Sequence, residues 1–403
     1  MQNTLWPQEA HVVTQMSIEL PPLSPDERLH EARLVALIRA RIARAGGWIP
    51  FSQYMALALY APGLGYYAAG AHKLGRGGDF VTSPELSPVF GHCVATQCAE
   101  VLAACPTGDI LEVGAGTGLL AKAVLQALAR QGCLPTRYRI LETSPDLRAR
   151  QQTLLLPLIS ALGTSIEWLD RIPEASFSGV IIANEVLDAL PIDRFRLGAS
   201  GSEAMGVSME GSGFVWCAKP ADAHAQATIA ALELASDRVI TSEYCPGLGA
   251  WLGAIAAPLS FGALLLMDYG GSRRELYHSS REDGTFSCFY RHLQHNDPFT
   301  RVGLQDLTAW VDFTRVAEAA LDAGLEIAGF TTQTHFLLAN DFDKHLTAFR
   351  ETASPDDLID RVRAARRLVL PTDMGERFKC LGLTRGMQRS LRGFALRDDT
   401  HTL

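Results

Sequence analysis

Asp109-Ile110-Leu111-Glu112-Val113-Gly114-Ala115-Gly116-Thr117-Gly118-Leu119 carries a short apolar run into three glycines on alternate positions, and an apolar-patterned stretch follows to Gln131. Ile110 to Val113 reads as a short buried strand, and Leu119 to Gln131 reads as a helix. Glycines between them let the backbone turn sharply and bring main-chain N–H groups at the helix start close to a ligand. A tight turn without a ligand is the plainer alternative. The unit then recurs. Arg137 to Glu142 is expected as a second strand, Pro145 to Ala161 as a helix, and Ser165 to Leu169 as a third strand. Val180 to Ala183 and Leu264 to Asp268 supply a fourth and a fifth. Short strands alternating with helices predict an α/β fold whose parallel sheet is covered on both faces.

Upstream, residues 1–27 are polar, proline-dotted and aperiodic, and are expected as a flexible arm. Leu34, Leu37, Ile38 and Ile42 have helical spacing from Arg28 to Ala45, and Gly46-Gly47 stops that helix. Further helices are expected at Phe51 to Tyr60 and Val89 to Ala104. Residues 28–105 are thus expected as a helical region and 106–390 as the core, with insertions near 192–260 and 340–372. The first insertion reads as a hairpin over Arg194 to Ala218 and a helix near Ala223 to Ala235. A long loop over 270–303 precedes a helix at Thr314 to Ala323 and a strand at Leu325 to Thr331. A helical excursion (341–370) and a last strand at Phe378 to Thr384 end the core.

The 403 residues are 47% hydrophobic and 20% charged, an ordinary globular balance, with a formal charge of −8. Nucleic acid and anionic membrane both need clustered positive charge, which the scattered arginines do not supply. The eight cysteines show neither a CxxC nor a metal-type spacing, so free thiols are expected. No apolar stretch approaches the ~20 residues of a spanning helix. A bacterial cytoplasmic protein without membrane insertion is the expectation, with oligomeric state left open.

A dinucleotide fingerprint would place its third glycine at 119, where this chain has Leu119. Glu112, Gly114, Gly116 and Gly118 instead give ExGxGxG, which is similar to the pattern of class I methyltransferases, where the loop meets the amino-acid part of S-adenosylmethionine. Glu142, ending the second strand, is the candidate acceptor of two ribose hydroxyl bonds. Asp170, after the third strand, is a candidate partner of the adenine amine or an exposed turn aspartate. A second glycine-rich stretch runs from Gly75 through Gly78, Asp79, Phe80, Thr82, Ser83 and Pro84 to Glu85. Its hydroxyls and acids suit the zwitterionic end of such a cofactor, or an ordinary capped turn.

The chain resembles the MidA-like methyltransferases, whose mitochondrial members are complex I assembly factors that methylate arginine. Pro62-Gly63-Leu64-Gly65-Tyr66-Tyr67, Gly78 to Glu85, Phe90-Gly91, Glu112 to Gly118 and Asn184-Glu185-Val186-Leu187-Asp188-Ala189-Leu190-Pro191 carry the resemblance. Asp268-Tyr269-Gly270, Gly284-Thr285, Tyr290-Arg291-His292, Gly375 and Phe378-Lys379 extend it, over about residues 45–385. It implies a Rossmann-like class I methyltransferase core with an N-terminal helical region, S-adenosylmethionine as methyl donor, and cofactor contacts from Thr82, Ser83, Glu85 and Asn184. It also implies a protein partner, with a respiratory complex I subunit as the family's example.

A guanidinium, with a pKa above ~12, needs help to present a lone pair. Two carboxylates can grip its fork and receive its proton. Glu185 and Asp188, three apart past the fourth strand, would share a face on a helical first turn. They are the candidate catalytic pair, or else a helix cap orienting the loop. Tyr269, Tyr290 and His292 are expected at the entrance, and no metal site is expected. A protein arginine methyltransferase leads; a small-molecule methyltransferase and a non-catalytic cofactor-binding assembly factor are the alternatives.

Overall fold

The computed structural model describes residues 20–69, 81–105, 107–199, 201–234, 239–351, 355–387 and 390–403. The greater part of the expected arm (1–19) and residues 75–80 of the second glycine-rich stretch lie outside them. We number the seven long strands of the central sheet β1 (Asp109–Val113), β2 (Tyr138–Leu141), β3 (Ile166–Leu169), β4 (Phe177–Asn184), β5 (Leu259–Gly271), β6 (Glu326–Thr332) and β7 (Phe378–Arg385). They lie in the order β6-β7-β5-β4-β1-β2-β3. The run β5-β4-β1-β2-β3 is parallel. β7 is antiparallel to both β5 and β6, so the sheet is mixed. Apolar runs place a strand without giving its direction, which is why an all-parallel sheet was the sequence expectation.

Each central strand feeds both faces of the sheet with alternate residues, so its whole run is apolar. Ile110, Val180, Ile182, Leu265 and Met267 join one core with the helices Pro88–Ala103 and Leu119–Arg130. Leu111, Ile181, Ala183, Leu264 and Leu266 join the other, under the helices Leu248–Ala256 and Phe313–Asp322. Helix Pro88–Ala103 therefore shares the core of the central sheet and not that of Pro25–Arg44 and Phe51–Tyr60. Where it packs on Leu119–Arg130, a Cβ on Gly91 would sit 2.5 Å from the Ala123 Cβ.

Helices Pro25–Arg44 and Phe51–Tyr60 instead share a third core with smaller sheets. The hairpin expected over 194–218 is part of a five-stranded sheet of Trp48–Pro50, Asp193–Gly198, Gly201–Glu210, Gly213–Pro220 and Ile240–Tyr244. The helix expected to reach Ala235 spans Ala223–Ala230. The span 270–303 is not a plain loop. It holds Ser287–Tyr290 and Leu293–His295, which pair with Asp306–Thr308 in a three-stranded sheet. The 341–370 excursion is two helices, Phe342–Glu351 and Pro355–Arg367.

Candidate functional site

A cavity of about 650 Å³ opens at the C-terminal ends of β1, β2 and β4, the edge where open α/β sheets bind ligands. The glycine loop forms one wall. Gly114, Gly116 and Gly118 have φ of +66°, +53° and +84°, values that L side chains rarely adopt. Gly114 and Gly116 line the cavity with Ala115, Thr117 and Leu119. Gly118 does not. It caps the helix N-terminus, where a Cβ would press on Gln151 Cγ at 3.3 Å. Glu112 lies beneath the loop and accepts from the Tyr138 hydroxyl at 2.6 Å; burial lifts its carboxyl to about 7.

Glu142 follows β2 into the cavity, with its oxygens fixed from behind by Ser144 N–H (2.8 Å) and Gln151 Nε2 (3.0 Å). Burial raises its carboxyl, against those two hydrogen bonds. Gln151 also donates to Gly116 O at 2.9 Å and accepts from Trp168 Nε1 at 3.1 Å, so one side chain ties the acid to the glycine loop. Sequence reasoning missed Gln151; its place one turn before the buried Leu155 was the available signal. Asp170 is a correction. It is exposed, paired with Arg148, and absent from the cavity wall.

Thr82, Glu85 and Asn184 line the cavity. Glu85 accepts from Thr82 N–H at 3.2 Å, so the short helix Ser83–Leu86 starts with a reciprocal contact. Ser83 is buried behind the wall: its hydroxyl donates to Gln333 Oε1 at 3.2 Å, and its N–H donates to Glu185 at 2.9 Å. Asn184 donates to Glu185 at 3.1 Å, while its own Oδ1 is buried without a hydrogen-bond partner among the described residues. An unmet acceptor on the wall of this cavity fits a ligand bearing an ammonium donor, and Glu142 fits one bearing hydroxyls.

Glu185 and Asp188 do not share a helical face. The chain after β4 is an irregular turn, with Glu185 at φ +54°. Asp268, near the end of β5, holds this turn. Its buried carboxylate accepts from the N–H groups of Val186 (3.0 Å), Leu187 (2.8 Å) and Asp188 (3.2 Å), groups a helix start would otherwise leave unpaired. Glu185 reaches the cavity wall; Asp188 lies outside it, accepting from the Thr308 hydroxyl at 2.8 Å. Thr308 in turn accepts a hydrogen bond from the Tyr269 hydroxyl at 2.7 Å. Burial lifts the Glu185 carboxyl to about 8, with Asp188 and Glu85 adding to the rise against the Ser83 and Asn184 hydrogen bonds. Asp268 is raised by burial and by the charges of Asp188 and Glu185. Tyr269, Tyr290 and His292 do not line the cavity; Tyr60, Tyr67 and Trp251 do.

Comparison with known proteins agrees with this architecture. Residues 93–331 match the model of a family described as "Putative S-adenosyl-L-methionine-dependent methyltransferase". A superfamily member from Burkholderia thailandensis, crystallised with S-adenosyl-homocysteine, is 41% identical with a TM-score of 0.89, covering 96% of this chain and 100% of that one. Among curated relatives, the protein arginine methyltransferase NDUFAF7, mitochondrial, of Danio rerio is 29% identical, over 83% of each chain. Its homologue of Caenorhabditis elegans is 30% identical, over 84% of each.

Proposed function

The chain belongs to the MidA-like family of S-adenosylmethionine-dependent methyltransferases, and from that premise we propose that its acceptor is an arginine side chain of a partner protein. S-adenosylmethionine is the cofactor; when bound, it supplies a methyl group on a sulfonium, ready for in-line displacement. In this reading Glu142 holds the ribose hydroxyls, and Asn184 Oδ1, without a partner among the described residues, takes the ammonium of the amino-acid end. The glycine loop lies along the chain between them.

The observation that carries the arginine reading is Glu185. It is a carboxyl on the cavity wall, fixed by Ser83 N–H and Asn184, with a proton affinity raised to about 8. Ionised, it pairs with a guanidinium and turns one nitrogen toward the methyl group; as the nitrogen is alkylated, it receives the displaced proton. Asp188, one layer back, acts through the turn it shares with Glu185 and not by contact. The arginine methyltransferase activity for which the relatives are named points the same way.

The test is incubation of the purified protein with methyl-labelled S-adenosylmethionine and a lysate of cells lacking it, followed by mass spectrometry. Label on arginine in a polypeptide is the expected outcome. Label only on metabolites would move the acceptor to a small molecule, and cofactor binding without any transfer would leave a non-catalytic assembly role.

A further inference from the structure

Tyr60 and Tyr67 stand on the cavity wall with rings stacked at 5.6 Å and 19°. Both hydroxyls are used by the protein. Tyr60 donates to Ala189 O at 2.8 Å, and Tyr67 donates to Asp306 Oδ1 at 2.9 Å. What the pair presents to the cavity is therefore ring surface, locked in orientation at both hydroxyls. Asp306 is buried, and a phenol donating to a carboxylate has its ring enriched in electrons. Glu185 stands on the same cavity wall, and Ala189 follows Asp188 directly.

Electron-rich aromatic faces with carboxylates beside them attract cations, and a flat, weakly hydrated one gains most from stacking. We propose that Tyr60 and Tyr67 are specificity-determining residues, forming an aromatic platform that selects a guanidinium over an ammonium or a neutral group of the same shape. The inference rests on the arginine reading above and adds residues that neither the glycine loop nor the acid turn supplies. It also gives Asp306–Thr308 a purpose: this strand holds Tyr67 through Asp306 and Asp188 through Thr308.

The experiment titrates the protein, saturated with S-adenosylhomocysteine, with acetyl-Gly-Arg-Gly-amide and its lysine and citrulline counterparts, followed by NMR. Wild type is expected to bind the arginine peptide at least ~10-fold more tightly than the citrulline one. Tyr60→Leu is expected to weaken arginine-peptide binding by roughly 3- to 30-fold, and Tyr60→Phe by less than ~3-fold, since the ring remains. Affinity for S-adenosylhomocysteine should stay within ~3-fold in both. Tyr60 is 40% exposed, so both variants should fold; Tyr60→Gln replaces the leucine variant if it does not. Undiminished arginine binding in Tyr60→Leu overturns the platform alone, as does an equal loss in Tyr60→Phe or a parallel loss of S-adenosylhomocysteine affinity. Wild type that fails to separate arginine from citrulline overturns the arginine reading as well.

Discussion

Glu142 lines the cavity with its oxygens fixed by Ser144 N–H and Gln151 Nε2, and in the proposed reading it also holds the ribose hydroxyls. Charge-assisted hydrogen bonds contribute ~1.5–3 kcal/mol each. Glu142→Ala should therefore weaken S-adenosylhomocysteine binding by on the order of 100-fold or more in calorimetry, and Glu142→Gln by less. Affinity within twofold of wild type would remove Glu142 from the ribose. Glu185 makes a different prediction, through pH. Its carboxyl titrates near 8 in the native state against 4.5 ordinarily. Between those values the folded protein holds a proton that the unfolded chain has lost, so stability falls as pH rises through that window. Glu185→Gln keeps an acceptor oxygen for Ser83 N–H and removes the titration. Its urea midpoint should exceed that of wild type most above pH 8 and converge with it near pH 4.5. A constant difference between pH 5 and 8.5 would show that Glu185 is ionised throughout.

Among the helices, two glycines with opposite surroundings separate packing from propensity. Alanine in a helix interior is favoured over glycine by up to ~1 kcal/mol. Gly253, in Leu248–Ala256, has nothing within 4 Å of a new Cβ among the described residues, so Gly253→Ala should stabilise by ~0.5–1 kcal/mol in denaturant titrations. Gly91 has the Ala123 Cβ at 2.5 Å, on a helix backbone that cannot step aside, and overpacking costs ~1–3 kcal/mol. There the clash outweighs the propensity gain, and Gly91→Ala should destabilise. The same distinction explains what the sequence revealed. β1, its glycines and the helix after it form a local pattern within some twenty residues, and Glu112 to Gly118 was readable from that alone. Gly91 appeared in a motif, but its reason lies in Ala123, 32 positions away. The acid that holds the turn at 185–188, Asp268, lies 80 residues beyond Asp188, so local spacing alone points to a helical turn there. The strand Ser287–Tyr290 lacks polar alternation and pairs with Asp306–Thr308, a partnership no local pattern announces. Local chemistry therefore identified the donor side, while the acceptor side, assembled from distant segments, was only partly legible.

The cavity draws its walls from the central sheet, the N-terminal helical segment and the loop after β4 together, so a ligand filling it touches parts of the chain that otherwise pack in separate cores. Binding there should register as stability of the whole molecule. A ligand at 100 times its Kd adds ~2.7 kcal/mol to the folded state. Unfolding entropy near ~2.1 cal/mol/K per residue gives about 0.85 kcal/mol/K for 403 residues. The melting temperature should thus rise by roughly 3 °C with saturating S-adenosylhomocysteine. NADH at the same concentration should leave it unmoved, because Leu119 occupies the position where a dinucleotide loop needs glycine. In Glu142→Ala the rise at that fixed concentration should nearly vanish: a 100-fold weaker ligand sits at its Kd and contributes only ~0.4 kcal/mol. A rise with NADH equal to that with S-adenosylhomocysteine would show that the loop accepts a pyrophosphate after all. An undiminished rise in the variant would place the nucleoside elsewhere in the cavity.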